Sequence, residues 1–302
     1  MTATPVLLLL ADPRQSEALQ AALAELAPEV KPVVDGRALD DSALARIEFV
    51  LGWRLPAGLV ERLPALRWIC ATGAGVDKLL PPGLPARVQV SRVVDPLQAI
   101  GMAQYVALMV LRHARGLAVY EAQQGARQWR RRPVTAASQQ VLVLGRGGVG
   151  SAVGQALQAL GLAVAHWHSR SGALWPALAA AEVVVNTLPL TDATQGLLDA
   201  RAFAAMPRGA YLVNVARGGH VVEPDLIAAL RSGHLAGAAL DVQQHEPMPA
   251  DDPLWAAPGI TITPHIAAQP SWHTVAQQFV AGLRCVQRGQ APPHAVDRSR
   301  GY

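Results

Sequence analysis

The sequence of 302 residues contains few cysteines, few lysines and no long hydrophobic run. Its two cysteines, Cys70 and Cys285, cannot build a disulfide framework, and neither stands at a spacing typical of metal ligands, so no metal site is expected. The apolar run near the amino terminus, Val6–Leu10, is too short for a membrane span or for the core of a signal peptide. These absences favour a cytoplasmic protein that does not contact a membrane.

Positive charge is carried almost entirely by arginine, because only two of the 26 basic residues are lysines. The net charge is +4, and the one dense basic run consists of Arg127, Arg130, Arg131 and Arg132. A nucleic-acid interface would need a larger basic face and a recognisable binding module. We therefore expect a solvated linker here and no nucleic-acid partner. The positive balance mildly favours anionic substrates.

The hydrophobic content of 51% predicts a globular protein with large cores, and short apolar runs alternate with helical patterns along the chain. Strands are predicted at Val6–Leu10, Phe49–Leu51, Arg67–Ala71, Val88–Val93, Val141–Leu144, Leu162–Trp167, Glu182–Leu188, Tyr211–Val215, Gly237–Asp241 and Ile260–Thr263. Helices are predicted at Gln15–Leu26, Pro96–Tyr120, Ser151–Leu160, Ala200–Ala205, Pro224–Ser232 and Ser271–Arg288. This pattern predicts an α/β fold, with a first α/β domain followed by a doubly wound parallel sheet.

A glycine-rich segment follows the strand Val141–Leu144. Gly145, Gly147 and Gly150 have the spacing G-x-G-x-x-G, and a helix and a second strand come after them. In this context the first glycine permits a tight turn, the second lets the backbone approach a pyrophosphate, and the third lets helix and strand pack closely. The helix amino terminus supplies N–H groups to the phosphates. The segment predicts a dinucleotide site.

Three further polar residues stand at predicted strand ends, where ligands bind in open α/β sheets. Arg217 offers a planar, charged fork that suits a carboxylate, and His265 can exchange a proton with a carbonyl oxygen near neutral pH. Glu246 can hydrogen-bond the imidazole and fix its tautomer. His245 stands next to Glu246, so a role for it stays open. The remaining histidines lack such a context and are expected to be surface or packing residues; they include His113, His220, His234, His273 and His294.

Five ordered motifs resemble the D-isomer specific 2-hydroxyacid dehydrogenase family: Gly145–Gly150, Leu188–Thr191, Asn214–Gly219, Leu240–Val242 with Glu246-Pro247, and Thr263–His265. The resemblance is dense over about residues 140–270. Within the family, Ala71–Asp77 and His168–Arg170 resemble the glyoxylate/hydroxypyruvate reductase A branch. The resemblance implies a Rossmann cofactor domain and a smaller, flavodoxin-like substrate domain. It implies an NAD(P)-dependent enzyme that reduces a small 2-oxoacid to the D-2-hydroxyacid.

The resemblance also implies roles for matched positions. Arg217 would bind the substrate's carboxylate and carbonyl, His265 would be the acid/base, and Glu246 would tune His265. The backbone of Ala74, Gly75 and Val76 would hold the substrate carboxylate, together with Arg217 and His265. Cofactor contacts are implied for Gly145, Gly147, Gly148, Val149, Gly150, His168, Ser169, Arg170, Leu188, Pro189, Leu190, Thr194, Val215, Ala216 and Asp241, the last beside the nicotinamide carboxamide.

The domains implied by the resemblance are residues 1–97 with 269–302 for the substrate and residues 98–268 for the cofactor. Proteins of this kind are usually homodimers, with the long helix near residues 96–120 in the interface. Because the position that commonly carries an acid in NAD enzymes is His168 here, followed by Ser169 and Arg170, the sequence favours NADPH, with NADH possible.

Two alternatives remain open at this point. The substrate could be a bulkier 2-oxoacid such as phenylpyruvate, because the residues that line the pocket cannot be placed from the sequence. The chain could also be a non-catalytic nucleotide-sensing co-regulator on the same scaffold. The presence of Arg217, Glu246 and His265 together favours an enzyme, because a sensor has no need for a complete proton-transfer set.

Overall fold

The computed structural model describes residues 4–10, 12–34, 39–131 and 139–301. Its strands are β1 (Thr4–Leu9), β2 (Val30–Val34), β3 (Phe49–Gly52), β4 (Trp68–Ala71), β5 (Gln89–Ser91), β6 (Gln140–Leu144), β7 (Ala163–Trp167), β8 (Val183–Asn186), β9 (Ala210–Asn214), β10 (Leu235–Leu240) and β11 (Ile260–Ile262). Its helices are α1 (Pro13–Leu26), α2 (Asp41–Leu44), α3 (Pro96–Ala114), α4 (Leu117–Gly125), α5 (Gly148–Ala159), α6 (Leu174–Ala179), α7 (Ala200–Ala205), α8 (Glu223–Arg231) and α9 (Trp272–Gln287).

The chain divides into two compact units. One consists of Met1–Gln98 and Gln269–Tyr302, and the other of Ala99–Ala268. Each contains one sheet, and every pairing between these strands is parallel. The predicted α/β fold class is thereby confirmed.

The first unit has the strand order β2-β1-β3-β4-β5, which is the order of flavodoxin-like sheets. Helices α1 and α9 pack against each other and cover one face of this sheet. Trp68 on β4 stacks on Phe279 of α9 with 4.9 Å between ring centroids. Gly282 makes room for this indole, because an added Cβ would lie 2.7 Å from two of its ring atoms. The carboxyl-terminal helix therefore completes the core of the unit that contains the amino terminus.

The second unit has the strand order β11-β10-β9-β8-β6-β7. The chain leaves β6 for β7 on one side and returns to β8 on the other, so the switch point of the sheet lies between β6 and β8. Ligands of open parallel sheets bind outside the carboxyl ends of the strands at such a point. Strand β11, with three residues, forms the edge and pairs with β10.

Several elements differ from the sequence-based predictions. The single helix predicted over Pro96–Tyr120 is wrong: α3 ends at Ala114, and Gly116, with a φ of 62°, separates it from α4. Strand β2 was not predicted because it contains Pro32, which lacks a backbone N–H; β2 is an edge strand, where proline is tolerated. Helix α6 was not predicted either. Of the basic run, Arg132 lies outside the described residues, and the other three arginines are exposed.

Among the described residues, none of the helices combines the length and the apolar character that a membrane crossing requires.

Candidate active site

The glycine loop between β6 and α5 is shaped by close backbone contacts. Gly145 has a φ of 114°, which side chains rarely tolerate, and an added Cβ there would lie 2.5 Å from Oγ1 of Thr187. An added Cβ on Gly150 would lie 2.6 Å from the carbonyl oxygen of Gly145. Both positions therefore require glycine, for the turn and for the contact between helix and strand.

Gly147 and Gly148 face open space instead, since an added Cβ on either would meet no atom within 4 Å. Gly147 is the N-cap of the twelve-residue helix α5, and Val149 lies half-buried in its first turn. The first N–H groups of a helix have no partner within it, and the helix dipole favours an anion there. The loop thus combines room for close approach with backbone donors, and it fits a pyrophosphate.

The turn after β7 lies beside this loop. The N–H of Gly145 donates to the carbonyl oxygen of Trp167 over 2.7 Å, so the segment that follows Trp167 starts at the same carboxyl end of the strands as the glycine loop. In this segment the N–H of Arg170 donates to Nδ1 of His168 over 3.2 Å, and the side chains of Ser169 and Arg170 are exposed. The turn offers a guanidinium and a hydroxyl next to the glycine loop and no carboxylate.

The loop after β8 contains Leu188, Pro189, Leu190 and Thr194. Oγ1 of Thr194 donates to the carbonyl oxygen of Pro189 over 2.8 Å and accepts from the N–H of Thr191 over 2.9 Å. The threonine hydroxyl therefore stabilises its own loop.

A buried asparagine pair joins β8 to β9. Nδ2 of Asn186 donates to Oδ1 of Asn214 over 3.0 Å, and Nδ2 of Asn214 donates to the carbonyl oxygen of Arg217 over 2.9 Å. The N–H of Ala216, which follows the buried Val215, also donates to Oδ1 of Asn214, over 3.2 Å. The pair fixes the backbone that carries Arg217, whose side chain is half-buried.

Arg217 and Glu246 stand on loops that touch backbone to backbone. An added Cβ on Gly218 would lie 1.9 Å from the carbonyl carbon of Gln243, which no side chain allows. The N–H of Gln243 donates to Oε1 of Glu246 over 3.2 Å, and the peptide bond after Glu246 is cis. The N–H of Gln244 donates to the carboxylate of Glu223 over 2.8 Å. Burial raises the pKa of Glu223, although this hydrogen bond opposes the shift.

Glu246 and His265 form a hydrogen-bonded pair. Nδ1 of His265 lies 3.1 Å from Oε2 of Glu246, and their side chains are 29% and 21% exposed, which leaves the imidazole accessible to a ligand. The ring nitrogen that faces away from Glu246 is Nε2. Strands β9, β10 and β11 are neighbours, so the loops that carry Arg217, Glu246 and His265 leave the same sheet edge. This arrangement can hold an anion and exchange a proton.

Asp241, at the end of β10, is buried, and both of its oxygens accept hydrogen bonds from the segment around His265. Oδ1 accepts from Oγ1 of Thr263 over 2.5 Å and from the N–H of Ile266 over 2.9 Å. Oδ2 accepts from the N–H of Ala267 over 2.9 Å. The role beside a nicotinamide stays a prediction; the contacts described here connect this carboxylate to the turn that carries His265.

Sequence reasoning missed two histidines that contact these loops. His220 is fully buried, with Nδ1 3.0 Å from the carbonyl oxygen of Arg217 and Nε2 3.2 Å from that of Pro189. His166 places Nδ1 3.0 Å from the carbonyl oxygen of Gly145. The position of His166 inside a predicted strand that neighbours the glycine loop is the one signal that could have found it.

Strand β4 of the first unit is followed by Ala74, Gly75 and Val76, for which the resemblance implies binding of the substrate carboxylate. In this segment Ala74 is exposed, Gly75 half-buried and Val76 buried. The neighbouring Gly73 lies against Trp53, which follows β3; an added Cβ would be 3.3 Å from the indole. Glycine-rich turns of this kind present N–H groups that suit anions.

Comparison with known proteins places these features in context. Residues 107–267 match the family model of the NAD binding domain of D-isomer specific 2-hydroxyacid dehydrogenases. A glyoxylate/hydroxypyruvate reductase A from Serratia proteamaculans is 37% identical over 276 residues, which cover 84% of this chain and 88% of the relative.

Two solved structures are similar along nearly the whole chain. A D-isomer specific 2-hydroxyacid dehydrogenase from Xanthobacter autotrophicus, in complex with NADPH and MES, has a TM-score of 0.87 and 37% identity, with 98% of this chain and 100% of that chain covered. An NADPH-dependent glyoxylate/hydroxypyruvate reductase from Sinorhizobium meliloti, in complex with NADP and sulfate, has a TM-score of 0.89 and 30% identity, with coverages of 99% and 100%.

Proposed function

Because this chain belongs to the D-isomer specific 2-hydroxyacid dehydrogenase family, we propose that it uses NADPH to reduce a small 2-oxoacid, such as glyoxylate or hydroxypyruvate, to the D-2-hydroxyacid. The observation that carries the proposal is the pair of His265 and Glu246, 3.1 Å apart, at the sheet edge that also carries Arg217 and the glycine loop. A carboxylate-paired imidazole and a guanidinium on loops that leave the same end of the sheet supply both the proton and the anion site that this reduction needs.

The glycine loop and the turn after β7 would hold the cofactor, which would supply the hydride for the ketone carbon. His265 donates a proton from Nε2 to the ketone oxygen, and Glu246 holds Nδ1 so that the ring keeps its orientation while it loses and regains that proton. Arg217 binds the substrate carboxylate and polarises the carbonyl.

The preference for NADPH rests on the turn after β7. Arg170 and Ser169 are exposed beside the glycine loop, where a 2′-phosphate would find a guanidinium and a hydroxyl, and the turn contains no carboxylate to repel it. The relatives solved with NADPH or NADP agree with this choice.

A direct test measures the loss of NADPH absorbance when glyoxylate, hydroxypyruvate or phenylpyruvate is added, with NADH in parallel. We expect turnover with one of the two small acids. Faster turnover of phenylpyruvate would assign a bulkier substrate, and no oxidation with any 2-oxoacid would favour the nucleotide-sensing alternative.

The same assay tests the proton donor through the variant His265→Asn. We expect turnover to fall by about 10²–10⁴-fold, the usual contribution of a general acid, while NADPH still binds. His273→Asn, which changes an exposed histidine on α9, is the matched control and should behave as the wild type. Near-normal turnover of His265→Asn would exclude the proton-donor role.

We further propose a homodimer formed through α3 and the segment that follows it. Large apolar side chains are exposed there, including Ile100, Leu108 (57% exposed), Leu117 and Trp129 (92% exposed). Large apolar side chains that are exposed in a monomer are buried when they lie in a protein–protein interface. The cytoplasmic location and the absence of nucleic-acid and membrane partners stay predictions.

A further inference from the structure

The turn that carries His265 has an unusual backbone. His265 has a φ of 55°, in the left-handed region that non-glycine residues rarely adopt. Such a conformation persists only where surrounding contacts determine it. Here the N–H of His265 donates to the carbonyl oxygen of Asp241 over 2.8 Å, and the next two N–H groups donate to the Asp241 carboxylate.

The hydrogen bonds continue from Asp241 to helix α3. Oγ1 of Thr263 donates to Oδ1 of Asp241 and lies 2.7 Å from the phenolic oxygen of Tyr105. A hydroxyl has one proton, and Thr263 gives it to the carboxylate, so Tyr105 must be the donor to Thr263. Tyr105 is largely buried, and burial raises the pKa of its phenol, which therefore keeps the proton that it donates.

The Tyr105 hydroxyl donates to the Thr263 hydroxyl, which donates to the Asp241 carboxylate, and the same carboxylate accepts hydrogen bonds from the N–H groups of Ile266 and Ala267. We propose that Tyr105 and Thr263 are positioning residues for His265. They hold the carboxylate of Asp241 in the orientation that fixes the left-handed backbone at His265. This backbone conformation directs Nδ1 of His265 to Glu246. The proposal rests on the proposed function of His265 as proton donor.

The test uses variants that remove one hydroxyl at a time from the full chain. In Tyr105→Phe and in Thr263→Val the turn that carries His265 loses its hydrogen bond to α3. The kcat should fall about 3- to 10-fold in Tyr105→Phe. It should fall about tenfold or more in Thr263→Val, because this variant also loses a hydrogen bond to the charged Asp241. Thr263→Ser keeps the hydroxyl and should restore kcat to within about twofold of the wild type. The KM for NADPH should change less than kcat, because the glycine loop that holds the pyrophosphate follows a different strand.

Tyr211→Phe is the matched control, because Tyr211 is a second buried phenol of the same unit that lies outside this chain of hydrogen bonds. It should leave kcat unchanged. An equal effect of Tyr105→Phe and Tyr211→Phe would overturn the proposal. A rise in the KM for NADPH with unchanged kcat would also overturn it and would assign the chain of hydrogen bonds to the cofactor.

A second readout is independent of activity. Hydrogen exchange of the peptide that covers residues 264–268 should become faster in Tyr105→Phe and Thr263→Val, whereas exchange of residues 145–150 should stay as in the wild type. Unchanged exchange of residues 264–268 in both variants would overturn the proposal. If the wild type failed to oxidise NADPH with every 2-oxoacid, the proposed function would fail, while this measurement would still decide whether the three side chains hold the turn.

Discussion

The effect of Gly154→Ala on stability should reverse when residue 166 is changed. Gly154 lies in α5, and an added Cβ would be 2.4 Å from Nε2 and 2.8 Å from Cε1 of His166. The imidazole cannot retreat freely, because Nδ1 is held 3.0 Å from the carbonyl oxygen of Gly145. The small residue on the helix and the large one on the strand therefore depend on each other.

Two opposing effects set the change in the free energy of unfolding that Gly154→Ala causes. Overpacking at a tight contact costs about 1–3 kcal/mol, whereas alanine is favoured over glycine inside a helix by about 0.5–1 kcal/mol. In the wild-type background the clash exceeds the helix preference, and Gly154→Ala should lower the free energy of unfolding. In a His166→Ala background the clash is gone, and the same substitution should raise it by up to about 1 kcal/mol.

The assay compares urea unfolding of the wild type, the two single variants and the double variant. A coupling energy of about 1–3 kcal/mol is expected between the two positions. Gly101→Ala, inside helix α3 where an added Cβ would meet only ordinary contacts at 3.7 Å and 3.9 Å, is the control for the helix preference. Both variants at Gly154 or His166 should also raise the KM for NADPH, because the Gly145 carbonyl loses its partner. Effects that add to within about 0.5 kcal/mol would refute the reasoning.

Three further predictions concern charge and assembly. Arg170→Ala should raise the KM for NADPH about tenfold or more and leave the KM for NADH within about twofold, because a charged hydrogen bond to the 2′-phosphate is lost. Arg208→Ala is the control, and equal changes of KM for both cofactors would contradict the assignment. Burial raises the pKa of Glu223 above 4.5, so the carboxyl group binds its proton more tightly in the folded protein than in the unfolded chain. The contribution of Glu223 to the free energy of unfolding therefore falls as the pH rises through the folded pKa. In urea unfolding, Glu223→Gln should therefore lose less stability than the wild type between pH 4.5 and neutral pH; parallel profiles would exclude the effect. Leu108→Glu should convert a dimer to a monomer in size-exclusion chromatography, whereas Leu160→Glu, at another exposed leucine, should not; a dimer that survives Leu108→Glu places the interface elsewhere.

The glycine loop was predictable because its chemistry is local: strand, glycines and helix follow each other within a few residues. The same holds for the turn at Arg170, which needs only the residues next to the end of β7. Strand β2 was missed because Pro32 excludes an interior strand and the sequence does not reveal that β2 is an edge. The split of the long helix depends on one glycine, Gly116, whose left-handed φ the helical pattern does not show.

At the site, residue type and strand-end position indicated Arg217, Glu246 and His265. The hydrogen bonds that hold them were not predictable in the same way. Tyr105 reaches Thr263 across 158 positions of the chain, and this contact requires α3 to pack with that face on the sheet. The contacts of His220 could not be predicted because its two ring nitrogens lie within hydrogen-bond distance of carbonyl oxygens on two loops that are far apart in the sequence.

The contact between Gly218 and the backbone of Gln243 has a consequence for how this enzyme can change over evolutionary time. At position 218 the loop of Arg217 lies against the backbone of the loop of Glu246, so a side chain there would displace one of the two loops. Random replacement of residue 218 under selection for activity should return glycine alone. Position 218 is therefore closed to variation, and any divergence of the substrate range has to use other positions.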